Sequence, residues 1–177
     1  MTVRWAVAGC SAIADNRVAP AIRRCAEAEL VGFSSHDPAR AEAFSSRHGA
    51  PRSYASFDCL LEDDSIDVVY IGGLNAVHAP QTIAAVRAGR HVLCEKPMAT
   101  RLADARGMID ACGQNGRLLG INHHLRGAAT HAAMRQAIAE GCRSAAAPRR
   151  RFRSVPGQLA DSGVAEDDAA MPGRRCP

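Results

Sequence analysis

Polar and charged side chains follow three predicted β-strands in the sequence. One segment is CEKP, residues 94–97, in which Lys96 is the single lysine among 22 basic residues. A lysine fixed between a strand and a proline can present a proton or a positive charge to a reacting carbonyl or hydroxyl oxygen. The other two segments are GGLNAVH, residues 72–78, and NHHLR, residues 122–126. Because the carboxyl ends of parallel strands meet at one edge of an α/β sheet, these segments are expected to converge on a ligand site.

Each of these segments also has a purely structural interpretation. Asn75 is a common turn residue, His78 can cap a helix, and His123 and His124 can be polar loop residues. Adjacent histidines point apart, so this pair does not predict a metal site. The convergence of the three segments on one edge favours the functional interpretation.

A candidate phosphate-binding loop follows the first predicted strand. The stretch VAGCSAIADN, residues 7–16, keeps one of the three glycines of the dinucleotide-binding fingerprint. Gly9 would make the tight turn, the Ser11 hydroxyl could donate to a phosphate oxygen, and Ala14 is small enough for close helix packing. The free N–H groups of the following helix would face the anion. A plain strand-to-helix turn is the alternative, but the position after the first strand favours nucleotide binding.

The end of the second predicted strand favours NADP(H) over NAD(H). An NAD site usually has a carboxylate here, which holds the ribose 2′-hydroxyl. Ser35 and His36 stand there instead, and Asp37 fits the N-cap of the next helix. Arg40, one turn into that helix, could meet a 2′-phosphate, although a solvated helix charge is the alternative.

Alternating strand and helix patterns over residues 1–141 predict a doubly wound α/β fold with a parallel sheet, a Rossmann domain. Nearly continuous apolar runs such as IDVVYIGG are typical of strands buried on both faces. Pro20 predicts a kink or a late start in the first helix. The predicted strands are residues 3–8, 29–35, 53–56, 66–73, 91–95 and 117–122, and the predicted helices are residues 13–28, 37–49, 57–64, 78–89, 100–116 and 127–141.

Composition and charge exclude several classes of protein. Hydrophobic residues make up 47% of the sequence, and no apolar run approaches the roughly 18 residues of a membrane span. Residues 1–141 hold 15 basic and 14 acidic side chains, so this region offers no basic surface for nucleic acid. The seven cysteines are odd in number and contain no CxxC pair, which favours free thiols in a cytoplasmic protein.

The sequence changes character after Gly141. Residues 142–177 contain four of the nine prolines, a run of three arginines and no apolar period of 2 or 3.6. We expect an irregular tail, because such a segment cannot bury enough apolar surface to offset its ordering entropy. One hypothesis is a frameshifted or truncated reading of a longer gene, which translation of the other two frames after codon 141 would test. A one-domain protein with a disordered tail is the alternative.

The segment VYIGGLNAVHAPQTIAAVRAGRHVLCEKPMA, residues 69–99, resembles the centre of the Gfo/Idh/MocA family, named for glucose–fructose oxidoreductase and inositol dehydrogenase. The likeness runs from about Val3 to Gly141, and LGINHHLRGAATHAAMRQAIAEG is similar to the NADPH-dependent branch that contains 1,5-anhydrofructose reductase. The resemblance implies an oxidoreductase that moves a hydride between a nicotinamide and a carbon of a sugar or polyol. The sequence departs from many members at Leu74, where they have proline, and at Ser11, where they have glycine.

The resemblance also implies roles for individual residues. Lys96 would contact the substrate oxygen, and Lys96–Pro97 would be a cis peptide bond. The family's second domain, with its Asp-x-x-x-His pair, has no counterpart in this sequence. The chain is therefore expected to bind nucleotide with little turnover and to self-associate through an uncovered face of the sheet. The expected nucleotide contacts are Gly9, Cys10, Ser11, Ala12, Ile13, Ser35, His36, Arg40, Gly72, Gly73, Leu74, Asn75, His78, Glu95, Lys96 and Asn122.

Two alternatives to this enzyme remain open at the level of the sequence. One is a regulatory nucleotide-binding module without chemistry. The other is one half of a heteromeric enzyme, whose partner would supply the second domain. Turnover by the purified chain without a captured partner would exclude both.

Overall fold

The computed structural model of the protein describes residues 2–140. Its strands are β1 (Val3–Ala8), β2 (Ala28–Ser34), β3 (Arg52–Tyr54), β4 (Val68–Ile71), β5 (His91–Glu95) and β6 (Leu119–Asn122). They form one parallel sheet in the order β3-β2-β1-β4-β5-β6, which confirms the predicted doubly wound α/β fold. The strand order reverses between β1 and β4, and ligands of open α/β sheets bind at the carboxyl ends of strands beside such a switch point.

Helices follow the strands along the chain, and those that precede residue 124 pack on both faces of the sheet. They are α1 (Ala19–Arg24), α2 (Pro38–His48), α3 (Phe57–Leu61), α4 (His78–Arg87), α5 (Leu102–Gln114) and α6 (Ala129–Ala139). Apolar strand residues alternate between two cores. Ala6 and Ala8 face the core that α4 and α5 complete, while Val7 faces the core that α1 and α2 complete. Because both faces are covered, residues 5–8 of β1 form a continuous apolar run.

The ends of α2 follow from its sequence. The Asp37 side chain accepts a hydrogen bond from the Ala39 N–H at 3.0 Å, and Pro38 occupies the first turn. Gly49 ends the helix with a φ of 63°, in the left-handed region. The predicted start and end of this helix are therefore confirmed.

The first helix differs from its prediction over residues 13–28. Residues Ala14–Val18 form a π-helical turn, and the α-helix starts only at Ala19, with Pro20 in its first turn. Helix α1 already ends at Arg24, because Cys25 is extended and the chain then enters β2. The late start was predicted correctly, whereas the continuous helix to residue 28 was wrong.

The chain forms two compact units with a boundary after His124. Helix α6 lies in the second unit and is described by itself. Its range is close to the predicted helix 127–141. The boundary predicted after Gly141 and the predicted tail lie outside the described residues. Within residues 2–140, no helix is long and apolar enough to cross a membrane.

The described cysteines are not all in the same chemical state. Free thiols are present at Cys10, Cys25, Cys94 and Cys112, as predicted. Cys59 is disulfide-bonded, so the prediction of a free thiol was wrong at this position. The predictions for the two remaining cysteines, at positions 142 and 176, fall outside the described residues.

Candidate functional site

A cleft of about 670 Å³ opens at the carboxyl ends of strands β1 to β4, across the switch point of the sheet. Several predicted contacts line this cleft: Gly9, Cys10, Ser11, Ser35, His36, Arg40, Gly72, Gly73 and Leu74. The other predicted contacts do not line it: Ala12, Ile13, Asn75, His78, Glu95, Lys96 and Asn122. The structure therefore brings together the residues that follow β1, β2 and β4, and it places the residues that follow β5 and β6 outside this cleft.

Some residues that line the cleft were not predicted from the sequence. These are Ser34, Ala55, Ser56, Phe57, Val77 and Gln81. The carboxyl end of β3 lies at the same edge of the sheet as the carboxyl ends of the other strands. The expectation that ligands bind at this edge therefore also applies to residues 55–57. Gln81 could be identified only from the structure, in which its Oε1 is buried and has no hydrogen-bond partner within residues 2–140.

The turn after β1 comes so close to the end of β4 that only glycine fits at position 9. Gly9 has a φ of 101°, and its N–H donates to the Ser34 carbonyl at 2.9 Å. A Cβ added to Gly9 would lie 2.6 Å from the Gly73 nitrogen and 2.8 Å from the Gly72 carbonyl carbon. Gly9 thus makes the tight turn that the fingerprint requires, while its contact with a nucleotide stays a prediction.

The loop after Gly9 is held by its own hydrogen bonds. The Ser11 hydroxyl accepts from the Ala14 N–H at 3.4 Å, and the Ser11 carbonyl accepts from the Asp15 N–H at 3.0 Å. Because the hydroxyl acts as an acceptor here, its proton remains available for a phosphate oxygen. Ala14 is completely buried, so the position of the third fingerprint glycine needs a small side chain.

Cys10 lies buried at the base of this loop. Its Sγ donates to the Ser34 carbonyl at 3.8 Å, and its own carbonyl accepts from Arg40 Nε at 3.0 Å and Nη2 at 2.8 Å. Burial raises the pKa of Cys10 to about 11, and the nearby Arg40 charge only partly opposes this. The thiol therefore stays protonated near neutral pH and is a structural group rather than a nucleophile.

The segment after β2 presents hydroxyl, imidazole and guanidinium groups to the cleft. Ser35, His36 and Arg40 all line it. Asp37 does not, because its carboxylate caps α2 at the Ala39 N–H. This arrangement agrees with the helix-capping role that was predicted for Asp37.

The segment after β4 borders the opposite side of the cleft. The Gly72 N–H donates to the Ala8 carbonyl at 2.8 Å, and a Cβ on Gly72 would overlap Cε1 of the Tyr70 ring. The Leu74 side chain is 74% exposed at the edge of the cleft. Asn75 starts the 3₁₀ turn Asn75–Val77, which leads directly into α4.

His78 supports two loops from inside the protein. Its side chain is completely buried, with Nδ1 at 2.8 Å from the Pro97 carbonyl oxygen and Nε2 at 3.3 Å from the Gly73 carbonyl oxygen. The imidazole therefore links the turn after β4 to the segment after β5. The imidazole does not line the cleft, and its contact with a nucleotide stays a prediction.

Glu95 ends β5 as a buried carboxylate that accepts three hydrogen bonds. The Tyr70 hydroxyl donates to Oε1 at 2.9 Å, Asn122 Nδ2 donates to the same oxygen, and the Lys96 N–H donates to Oε2 at 3.0 Å. Glu95 and Asn122 meet because they are register partners in the β5–β6 pair. Burial and the Glu95 carboxylate raise the pKa of Tyr70 far above its usual value, so its hydroxyl remains a donor.

Lys96 combines a fixed backbone with a free side chain. Its N–H is bonded to Glu95, and its peptide bond to Pro97 is cis, which confirms the bond geometry that the resemblance implied. The exposed ammonium group makes no hydrogen bond or ion pair with another residue of the described part of the chain. Lys96 is therefore available to a ligand that approaches the end of β5.

The histidines after β6 do not form part of a metal centre in the described structure. His123 and His124 are both exposed, and the His123 N–H donates to the Ile121 carbonyl at 2.8 Å. In the range 2–140, no three His, Cys, Asp or Glu side chains are grouped so that they could hold a metal ion.

A glycine turn at the switch point of a parallel sheet, with a cleft across it, defines the class of NAD(P)-binding Rossmann domains. Comparison with known sequences agrees, because the family described as "Oxidoreductase family, NAD-binding Rossmann fold" matches residues 3–123. The chain therefore belongs to the Gfo/Idh/MocA family of oxidoreductases. The resemblance found in the EKP and GGLNAVH segments is confirmed.

The curated relatives of this chain include a sugar reductase and a sugar dehydrogenase. A 1,5-anhydro-D-fructose reductase of Ensifer adhaerens is 47% identical over 138 residues, which cover 78% of this chain and 41% of that protein. A D-xylose 1-dehydrogenase (NADP(+)) of Haloferax volcanii is 38% identical over 63% of this chain and 34% of its own length. The chain thus spans less than half the length of these relatives.

Solved structures with the same fold hold nicotinamide dinucleotides. KijD10, a 3-ketoreductase from Actinomadura kijaniata in complex with TDP-benzene and NADP, is 31% identical with a TM-score of 0.76, over 80% of this chain and 44% of that chain. The WlbA dehydrogenase from Chromobacterium violaceum, in complex with NADH and UDP-GlcNAcA, is 33% identical with a TM-score of 0.72, over 78% and 40%. Relatives with this fold therefore bind either NADP or NADH.

Proposed function

We propose that the cleft binds a nicotinamide dinucleotide, with NADP(H) preferred over NAD(H). The observation that carries the proposal is the turn at Gly9, where any side chain would overlap the Gly72–Gly73 backbone and where the cleft opens. A backbone without side chains lets a pyrophosphate come close, and backbone N–H groups suit its charge. The residues of this site therefore fit the cofactor.

The preference for NADP(H) follows from the charges after β2. Ser35, His36 and Arg40 line the cleft, whereas the Asp37 carboxylate is bonded to the helix backbone. A 2′-phosphate would meet donors and no competing carboxylate, and the planar fork of an arginine suits a phosphate well. Because the solved relatives include both cofactors, the preference depends on these residues alone.

We further propose that the complete reaction is hydride transfer to or from a carbon of a sugar or polyol. A bound nicotinamide supplies or accepts the hydride. Lys96 holds a proton and a positive charge at the substrate oxygen, since its ammonium group is free and its backbone is fixed. The names of the relatives support a sugar-type substrate.

The remaining predicted residues have supporting places in this proposal. Residues 9–13 take the pyrophosphate, residues 72–75 border the nucleotide, and Glu95 and Asn122 fix the segment beside the nicotinamide. His78 braces this segment. We propose that this chain alone binds nucleotide with little turnover, because Lys96 lies exposed to water at the end of β5.

Self-association and a cytoplasmic location complete the proposal. Leu102 and Ile109 on α5 and Leu118 before β6 are exposed by 68%, 58% and 74%. Since helices pack on both faces of the sheet, a second copy of the chain would cover this apolar surface and not an uncovered sheet face. The free thiols at Cys10, Cys25, Cys94 and Cys112 suit a reducing compartment. A monomer by static light scattering at all concentrations would contradict self-association.

A Ser35→Asp variant tests the proposed cofactor preference. The new carboxylate would repel a 2′-phosphate and could hold a ribose 2′-hydroxyl, so NADPH should bind at least about tenfold more weakly while NADH binds no worse. Titration followed by the fluorescence of the reduced nucleotide measures both affinities. Ser46→Asp adds the same charge at an exposed position of α2 away from the cleft and serves as the matched control. No binding of either nucleotide to the folded wild-type chain would refute the proposed function.

A further inference from the structure

Helix α2 is bonded to the segment between β1 and α1 at two separate points. At the first point, Arg40 donates from both Nε and Nη2 to the carbonyl oxygen of Cys10, at 3.0 and 2.8 Å. At the second point, the Asp15 carboxylate accepts from Arg47 Nη1 and contacts His48 Nε2, both at 2.7 Å. The four residues between these points, 11–14, include three of the positions, 11–13, that the proposed function assigns to the pyrophosphate.

The side chains of α2 that make these bonds are themselves held by packing. The guanidinium carbon of Arg40 lies 5.6 Å from the centre of the Phe44 ring, close enough for a cation–π contact. Phe44 is buried and packs edge-on against Phe33, at 5.7 Å between ring centres. His48 stacks on the same Phe33 ring at 5.5 Å. The contacts of α2 with the loop are therefore made by oriented groups anchored on one aromatic core.

Arg40 uses only part of its guanidinium group on the loop. Two of its three nitrogens are bonded to Cys10, whereas Nη1 makes no hydrogen bond within residues 2–140. Cys10 is 7% exposed, so loss of Arg40 would leave its carbonyl with little access to water in place of two charged donors. The loop would then lose a restraint at the residue that directly follows the Gly9 turn.

We propose that Arg40 is a positioning residue for the phosphate loop, residues 9–14, in addition to facing a 2′-phosphate. This proposal rests on the proposed function for its effect on binding, but its structural part does not need a nucleotide. Substitution of a residue that contacts only the 2′-phosphate would weaken NADPH binding and leave the affinity for NADH unchanged. A residue that also fixes the loop affects both nucleotides, because both carry the same pyrophosphate.

The first test measures hydrogen–deuterium exchange in the whole 177-residue chain without nucleotide. In the wild-type protein, the N–H groups of Ser11, Ala14 and Asp15 are bonded within the loop. Arg40→Gln should accelerate exchange of these amides at least about fivefold, with the amides of β4 unchanged. Arg87→Gln removes an equal charge from an exposed side chain on α4 that makes no hydrogen bond or ion pair with other described residues, and it should leave the loop unchanged. Unchanged loop exchange in a folded Arg40→Gln chain would overturn the proposal.

The second test measures the affinity for NADH and for NADPH separately. Arg40→Gln should weaken NADH about fivefold and NADPH by a larger factor, whereas Arg87→Gln should change neither by more than twofold. Arg40→Lys keeps the charge but lacks the two-pronged donor, so it should recover part of the NADPH affinity and little of the NADH affinity. This variant also serves if Arg40→Gln does not fold. An NADH affinity equal to wild type in both variants would overturn the proposal, whereas a wild-type chain that binds neither nucleotide refutes the proposed function and leaves the exchange test to decide.

Discussion

The two halves of the site use their polar side chains in opposite ways. In the loop half, residues 9–15 and 34–40, hydroxyl, imidazole and guanidinium groups line the cleft. In the lysine half, residues 72–78, 95–97 and 122, the polar groups are mostly bonded inside the protein and one ammonium group remains free. The loop half is thus built to bind a ligand, and the lysine half is built to hold one reactive group in place. Changes in the first should alter affinity, and changes in the second should alter stability or turnover.

Gly9→Ala is expected to have the largest effect, because Gly9 is the point where the two halves meet. A positive φ costs an alanine about 1–2 kcal/mol, and overlap with the Gly72–Gly73 backbone adds about 1–3 kcal/mol. The free energy of unfolding in urea should fall by the sum of the two, and NADPH binding should be lost. Gly49→Ala is the control, since its φ is 63° but an added Cβ has no atom within 4 Å. Equal losses in the two variants would show that the close approach is unimportant.

Tyr70→Phe should destabilise the lysine half without weakening nucleotide binding. It removes one of three donors to the buried Glu95 carboxylate, which costs about 1–3 kcal/mol of unfolding free energy. Tyr54→Phe is a matched control, because its hydroxyl donates to Asp63, which keeps Arg52 and Ser65 as partners. A loss of NADPH affinity without a loss of stability would reverse the roles assigned to the two halves.

Asp15→Asn should make the stability of the loop half less sensitive to acid. The contact with His48, assisted by Arg47, lowers the pKa of Asp15 below its usual value of about 4. A carboxylate with a lowered pKa in the folded state contributes stability above about pH 4, and this contribution is lost as the pH falls through the folded value. The variant should therefore be less stable than wild type by about 1 kcal/mol at pH 7, and the difference should shrink as the pH falls below about 4. Asp58→Asn, at an exposed position of α3, should show no such trend in denaturation curves.

Lys96→Met should have the smallest effect on the folded protein. The side chain is exposed and makes no bond with another residue in the described range, so unfolding should change by less than about 0.5 kcal/mol. NADPH affinity should stay within about twofold of wild type, while any turnover with a sugar substrate should disappear. A large loss of stability would contradict the view that the ammonium group has no role in folding and is available to a ligand.

Strand periodicity and helix-capping residues predicted most of the fold, because these signals are local. Asp37 and Gly49 define α2 through contacts within a few residues. The π-helical turn at Ala14–Val18 was not predicted, since π and α turns share the same apolar positions over such a short length. The early end of α1 depends on where the chain joins β2, which is a property of the sheet and not of the helix.

Site residues that act singly could be predicted from the sequence, whereas hydrogen-bonded pairs of residues could not. The turn at Gly9 and the free ammonium at Lys96 follow from glycine and lysine chemistry at strand ends. The bond of Tyr70 to Glu95 depends on the parallel register of β4 and β5, and the bond of Arg40 to Cys10 spans 30 residues. No local pattern in the sequence encodes such distances, so these pairings required the structure.

The imidazole of His78 fixes the distance between the Gly73 and Pro97 backbones. Both carbonyl oxygens face the ring, at 3.3 and 2.8 Å, and a buried ring has no alternative partner in solvent. A neutral imidazole carries one N–H, so it donates to one oxygen at a time, whereas an imidazolium donates to both. One buried side chain therefore fixes the spacing of the two segments that follow β4 and β5, and substitution of His78 would let the Gly73 and Pro97 backbones shift relative to each other.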